Sequence, residues 1–141
     1  MLHGLQKYFD YITDENVQAG VSLSGGGGRA TTGSCGAFSG GLMALSAKLS
    51  PCSQEIADAE MESYEDARCK FAEFRDWFIA EFGSVVCRDV QNRQLGRSFD
   101  LMDEQQLQAF RDFPAVKENC NIVSRKAALK VAEILSNSDA G

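Results

Sequence analysis

The sequence contains a single histidine, His3, and lacks most of the short motifs that identify common chemistries. One histidine near the start argues against histidine-based catalysis and against bis-histidine haem. No two cysteines are spaced as CxxC, so the local signatures of zinc sites and thioredoxin-like proteins are absent. The glycine run at 25–28 lacks the GK[ST] ending of a P-loop. The chemistry must therefore rest on other residues.

Clustered positive charge and long apolar runs are also missing. The net charge is −6 and the basic residues are scattered, whereas nucleic-acid binding needs concentrated Lys and Arg. No apolar stretch reaches the roughly 18 residues of a membrane span. The opening MLHGLQKYFDYITDE turns acidic before a secretory apolar run develops. We therefore expect a cytoplasmic protein without nucleic-acid binding or membrane insertion.

Apolar residues recur at helical spacing, and neither a strand pattern nor a repeat is visible. The sequence predicts an all-α fold, a small helical bundle in one domain over 1–141 whose tail frays over 136–141. At its centre we expect a Gly/Ala-rich helix over 34–49. Glycine costs about 1 kcal/mol inside a helix, so its glycines indicate close approach of another backbone or of a cofactor.

A long helix is predicted over 53–82, packed across the central one. Its stripe is interpreted as core rather than as an aromatic binding box, and Phe71, Phe74 and Phe78 should be largely buried. The stripe comprises Ile56, Ala59, Ala67, Phe71, Phe74, Phe78 and Phe82. Four further helices are predicted: one that restarts at Thr13, one over 87–92, one over 103–112 that follows Asp103, and a last helix capped by Asn119.

The chain has five cysteines, a high and odd number for a reducing compartment. Such usage indicates metal binding or redox work rather than structural disulfides. The alternative is that these cysteines serve as small buried hydrophobic residues. Position along the chain is what separates the two interpretations.

Cys35, Cys87 and Cys120 each fall at a predicted helix N-terminus. The macrodipole there favours thiolate, and Arg88 adds positive charge beside Cys87, so we expect lowered pKa values at these three thiols. Thiolates from three elements can converge on one point. Cys52, in a turn, and Cys69, in mid-helix, are assigned to structure or surface.

The glycine loop before Cys35 is a second candidate feature. Backbone N–H groups in such a loop can face an anion, a thiolate or a cluster sulfide. The candidate cofactor-binding residues are therefore Gly26, Gly27, Gly28 and Gly36.

These stretches, in this order, resemble the C_GCAxxG_C_C family, whose members are described as redox-active. The resemblance covers about residues 15–135 and rests on SGGGGRATTGSCGAFSGGLMALSAKLS, FAEFRDWFIAEFGSVVCRDV and CNIVSRKAALKVAEIL. The middle motif reads CGAFSG from Cys35 to Gly40, and the later cysteines match Cys87 and Cys120. The resemblance implies a helical redox protein in which these three cysteines are the functional set.

One part of the family pattern is not found. The family has a first cysteine on its opening helix, whereas MLHGLQKYF contains none. We interpret this as a chain that begins inside that helix, because Leu2, Leu5 and Phe9 are in helical phase from the start. The alternatives are a lost ligand, or replacement by Cys52 or Cys69.

Three functions remain open at this point. In the first, Cys35, Cys87 and Cys120 bind an iron–sulfur cluster or another soft metal centre for electron transfer or sensing, with an unidentified redox partner. In the second, two of them cycle between thiol and disulfide without metal. In the third, the chain is a helical interaction module whose cysteines serve only in packing, and a homodimer is compatible with all three.

Overall fold

The computed structural model of the protein describes residues 1–57 and 62–138. Within these residues it contains α-helices and no strand, so the predicted all-α class is confirmed. No helix in the described ranges is both long and apolar enough to cross a membrane. The helices are α1 (Leu2–Gln6), α2 (Asp14–Val21), α3 (Gly36–Leu49), α4 (Ser53–Ala57), α5 (Glu62–Phe82), α6 (Cys87–Leu95), α7 (Glu104–Asp112) and α8 (Ala115–Ser138).

Helix α3 is the centre of the bundle, as predicted, and its most extensive contacts are with α5 and α8. Its small residues let its neighbours approach. A β-carbon on Gly41 would overlap the ring of Phe74, and one on Gly36 would lie 3.3 Å from the Cα of Ser24. The close backbone approach expected for the helix glycines therefore occurs at Gly36, whereas Gly41 makes room for a side chain.

An aromatic cluster joins α3 to α5. The rings of Phe38 and Phe74 stack with centroids 5.8 Å apart, and Phe78 and Phe82 lie 4.7 Å apart. Phe74 and Phe78 are completely buried, which confirms the core interpretation of the stripe. Phe71 is only partly buried, at the edge of this core. Such ring pairs add about 0.5–1.5 kcal/mol each beyond the area they bury.

The start of the predicted 53–82 helix is less regular than its end. Ile56 is 59% exposed, so its assignment to the core stripe is wrong: α4 turns this side chain to solvent. Residues 58–61, including Ala59, lie outside the described residues. The continuity of the predicted helix across them therefore stays a prediction.

The N-terminal helices are shorter than the apolar spacing indicates. Helix α1 ends at Gln6, and the restart at Thr13 is confirmed by a capping box with Asn16. Helix α7 begins behind Asp103, whose carboxylate accepts the N–H of Gln106 at 2.8 Å. Both starts follow from side-chain caps that the sequence contains.

The last helix begins earlier than predicted. Helix α8 starts at Ala115, directly after Pro114, so the assignment of Asn119 as its cap is wrong. Proline is tolerated at a helix start, and the early turn buries Val116. The helix continues to Ser138, so residues 136–138 of the predicted frayed tail are helical. Residues 139–141 lie outside the described ranges.

Candidate functional site

The glycine loop is built from left-handed backbone. Gly25, Gly26, Gly27 and Gly28 all have φ between 55° and 86°, a region open to glycine at little cost. A β-carbon on Gly26 would lie 2.8 Å from the backbone of Thr31, and one on Gly33 would overlap the carbonyl of Gly26. Glycine is therefore required where the loop folds back on itself.

The N–H groups of this loop are largely used within it. Gly28 donates to the carbonyl of Ser22 at 2.7 Å, Gly27 donates to Leu23 at 3.2 Å, and Thr31 donates to Gly25 at 2.9 Å. Two of the glycine N–H groups expected to face an anion are thus already bonded. The cofactor-binding role of Gly26, Gly27, Gly28 and Gly36 stays a prediction, and only Gly36 of the four lines the cavity described below.

A single antiparallel bridge connects this loop to the start of α6. Ser34 pairs with Val86; on either side of the pair, the N–H of Cys35 donates to Val85 at 2.7 Å and the N–H of Cys87 donates to Gly33 at 2.9 Å. This pairing brings together two cysteines that are 52 positions apart in the sequence. Their relative position is therefore fixed by backbone hydrogen bonds.

The predicted position at a helix N-terminus is confirmed for two of the three cysteines. Cys35 is the N-cap of α3, and Cys87 is the first residue of α6. Cys120 is not at a helix N-terminus, because α8 begins at Ala115 and Cys120 lies in its second turn. Asn119, the predicted cap, donates instead from its side-chain amide to the carbonyl of Gln94 at 2.6 Å, and so joins α8 to α6.

All three cysteines line one cavity of about 520 Å³, formed mainly by α1, α2, α3, α6 and α8. The prediction that Cys120 shares a pocket with Cys35 is confirmed. Cys87 is buried, and Cys35 and Cys120 are half-buried. The described residues that line this cavity include no Asp, Glu, Lys or Arg. Besides the three cysteines, His3 and Met1 are the described lining residues whose side chains can bind a metal.

The pKa values of the three cavity thiols are raised, whereas the sequence predicted that they would be lowered. Burial raises the pKa of Cys35, of Cys120 and of Cys87, which reaches about 11. The pKa of Cys87 is raised further by charge on Cys35 and on Cys120, whereas a hydrogen bond from Gln91 opposes the rise. The expected lowering is wrong for the metal-free chain, because loss of hydration outweighs the helix N-terminus.

Cys52 and Cys69 are both exposed, and neither lines the cavity with the other three. Their assignment to structure or surface is confirmed. Neither is placed beside Cys35, Cys87 and Cys120, where a replacement ligand would have to lie. Both are useful as internal controls for thiol chemistry.

The described part of the chain contains no group of three or more His, Cys, Asp or Glu side chains arranged to hold a metal ion. The three thiols share one cavity, and they do not form such a group among the described residues. Ligation by Cys35, Cys87 and Cys120 stays a prediction, and soft thiolates remain the right donor type for iron–sulfur clusters, zinc or copper(I).

Comparison with known families decides the relationship. The family model described as "Putative redox-active protein (C_GCAxxG_C_C)" matches residues 1–134. The chain belongs to this family. The match reaches further toward the start than the 15–135 inferred from the motifs, so α1 is part of the C_GCAxxG_C_C region. Comparison with the curated proteins and with the solved structures gave no significant match.

One residue of the site was not anticipated from the sequence. Gln91 is 4% exposed, and its side-chain nitrogen donates to the sulfur of Cys87 at 3.6 Å. The spacing of four residues along α6 places the two side chains on one helix face and is the only local signal of this contact. The partner at the other end of the amide, Phe99, lies eight residues further along the chain, beyond the end of α6.

Proposed function

We propose that Cys35, Cys87 and Cys120 together bind a soft metal centre, in the first place an iron–sulfur cluster, and that the protein uses it in electron transfer or sensing. The observation that carries this proposal is that three thiols from three different helices line one cavity. Such a centre supplies one-electron chemistry when it is bound. Membership of a redox-active family supports the same class of function.

The charge balance of the cavity favours a positively charged occupant. The raised pKa values keep the three cysteines as neutral thiols in the metal-free chain, and thiolates formed there together would repel each other because no Lys or Arg is among the described residues lining the cavity. A metal ion or cluster binds thiolates directly, and each thiol loses its proton when its sulfur–metal bond forms. The raised pKa values make metal affinity pH-dependent and do not prevent binding.

A cluster tolerates a wider spacing of its cysteine ligands than a single metal ion does. A single tetrahedral ion with metal–sulfur bonds near 2.3 Å needs ligand sulfurs within about 4 Å of each other. The described side chains offer no such group. In a cluster the cysteine ligands bind different metal atoms and can therefore lie further apart.

The backbone bridge also bears on the thiol–disulfide alternative. Cys35 and Cys87 flank the Ser34–Val86 pair on opposite sides, so they are diagonal neighbours. Diagonal residues of an antiparallel pair have Cα atoms about 7–8 Å apart. A disulfide needs Cα atoms closer than about 7 Å, so this diagonal arrangement does not favour a disulfide between these two cysteines.

The test is the visible absorption spectrum of protein purified and reconstituted without oxygen. We expect broad visible bands together with bound iron and sulfide. These should be lost in Cys87→Ser and kept in the matched control Cys69→Ser. A colourless, metal-free protein whose mass is lower by two hydrogens would contradict the proposal and favour a disulfide instead.

A further inference from the structure

Gln91 is the most completely buried polar side chain near the three cysteines, with 4% of its surface exposed. Burying an amide without partners is unfavourable, so its contacts must compensate for lost hydration. It lies on α6 one turn after Cys87, and it also lines the cavity.

The two ends of its amide have different partners. The oxygen Oε1 accepts the backbone N–H of Phe99 at 2.9 Å, and the nitrogen Nε2 faces the sulfur of Cys87 at 3.6 Å. Phe99 is itself 2% exposed, so water does not compete for this N–H. A backbone N–H can only donate, so the atom facing it must be the amide oxygen. The amide is therefore held with its N–H donors toward Cys87.

We infer that Gln91 is a positioning residue of the site, which holds a hydrogen-bond donor on the Cys87 sulfur and raises the reduction potential of the centre bound there. The effect on a centre rests on the proposed function. Hydrogen bonds to ligand sulfurs stabilise the more electron-rich state, and partners of the ligands are a main means of tuning a metal site. The described residues that line the cavity include no Lys or Arg, and the Gln91 amide is a side-chain donor in contact with the Cys87 sulfur.

The contact can be tested without any metal. In reduced, metal-free protein, the side-chain amide signals of Gln91 in a ¹⁵N-resolved NMR spectrum should shift in Cys87→Ala. They should stay in place in Cys120→Ala, which alters the same cavity without removing the contact. Amide signals that ignore Cys87→Ala, or that exchange with water like a surface glutamine, would overturn the inference.

The effect on the centre is measured by potentiometric titration with dithionite of anaerobically reconstituted protein. Gln91→Met keeps the length of the side chain but removes the donor, and it should shift the midpoint to lower potential. Gln94→Met, on the same helix and lining the same cavity, is the matched control and should keep the wild-type midpoint. An unchanged midpoint in Gln91→Met at equal metal content would overturn the inference.

The two experiments separate the inference from the proposed function. If wild-type protein holds no metal under these conditions, the proposed function fails, and the NMR result still decides whether Gln91 holds Cys87. If Gln91→Met fails to fold, the NMR comparison still decides whether the Gln91 amide contacts the Cys87 sulfur, because its variants leave Gln91 intact.

Discussion

Cys35 and Cys87 lie diagonally across a single antiparallel bridge, each with its backbone N–H bonded to the facing segment. The thiols are therefore brought together by main-chain contacts that do not depend on the cysteine side chains. Substituting either sulfur should leave this framework intact. Single cysteine variants are thus suitable probes of chemistry rather than of folding.

Thiol accessibility gives the first prediction. At neutral pH, in reduced and metal-free protein, Cys52 and Cys69 should be alkylated much faster than the three cavity cysteines, because they are exposed and the others are buried or half-buried. The raised pKa values of the cavity thiols act in the same direction. Mass-spectrometric mapping of iodoacetamide modification over time measures this. Faster modification of Cys87 than of Cys69 would contradict it.

The second prediction concerns stability at alkaline pH. Because the pKa of Cys87 is raised from 9.0 to about 11 in the fold, the unfolded chain loses this proton first. The contribution of the protonated Cys87 thiol to the free energy of unfolding is fully present below pH 9 and is lost as the pH rises through about 11. It amounts to roughly 2–3 kcal/mol at most.

Urea unfolding of metal-free, reduced protein between pH 8 and 10.5 measures this slope. Cys87→Ala should flatten the slope relative to wild type, whereas the exposed-site control Cys69→Ala should follow wild type. Identical slopes in wild type and Cys87→Ala would show that this thiol is not buried as described.

The third prediction tests the packing of the central helix. In Gly41→Ala the new methyl group overlaps the ring of Phe74, which is fully buried and has little room to move. We expect the free energy of unfolding to fall by about 1–3 kcal/mol.

The matched control is Gly4→Ala in α1, where a β-carbon meets nothing within 4 Å. There alanine should be neutral or stabilising by up to about 1 kcal/mol. Thermal or chemical denaturation compares the two variants. Equal effects at both positions would contradict the close contact between α3 and α5.

Local signals were enough for much of this fold. The Thr13 and Asp103 caps are short-range features, and each marks a helix start in the structure. The positions of Cys35 and Cys87 at helix starts could be predicted for the same reason. The prediction that Asn119 caps the last helix was wrong. Asparagine is a common N-cap residue, but here the Asn119 side-chain amide donates to the carbonyl of Gln94 in α6.

The site depends on contacts that no local pattern contains. The bridge between Ser34 and Val86 joins two loops, and the amide of Gln91 is oriented by Phe99. The sign of the thiol pKa shifts was wrong for a related reason. A helix N-terminus is visible in the sequence, whereas the burial that outweighs it follows from tertiary packing.

The most direct test of the account is the metal content per chain of anaerobically reconstituted protein and its single cysteine variants. If the three sulfurs serve one centre, Cys35→Ser, Cys87→Ser and Cys120→Ser should each lose most of the bound iron. Cys52→Ser and Cys69→Ser should keep the wild-type content. Equal iron content in all five variants, or a loss confined to Cys52→Ser and Cys69→Ser, would contradict the account.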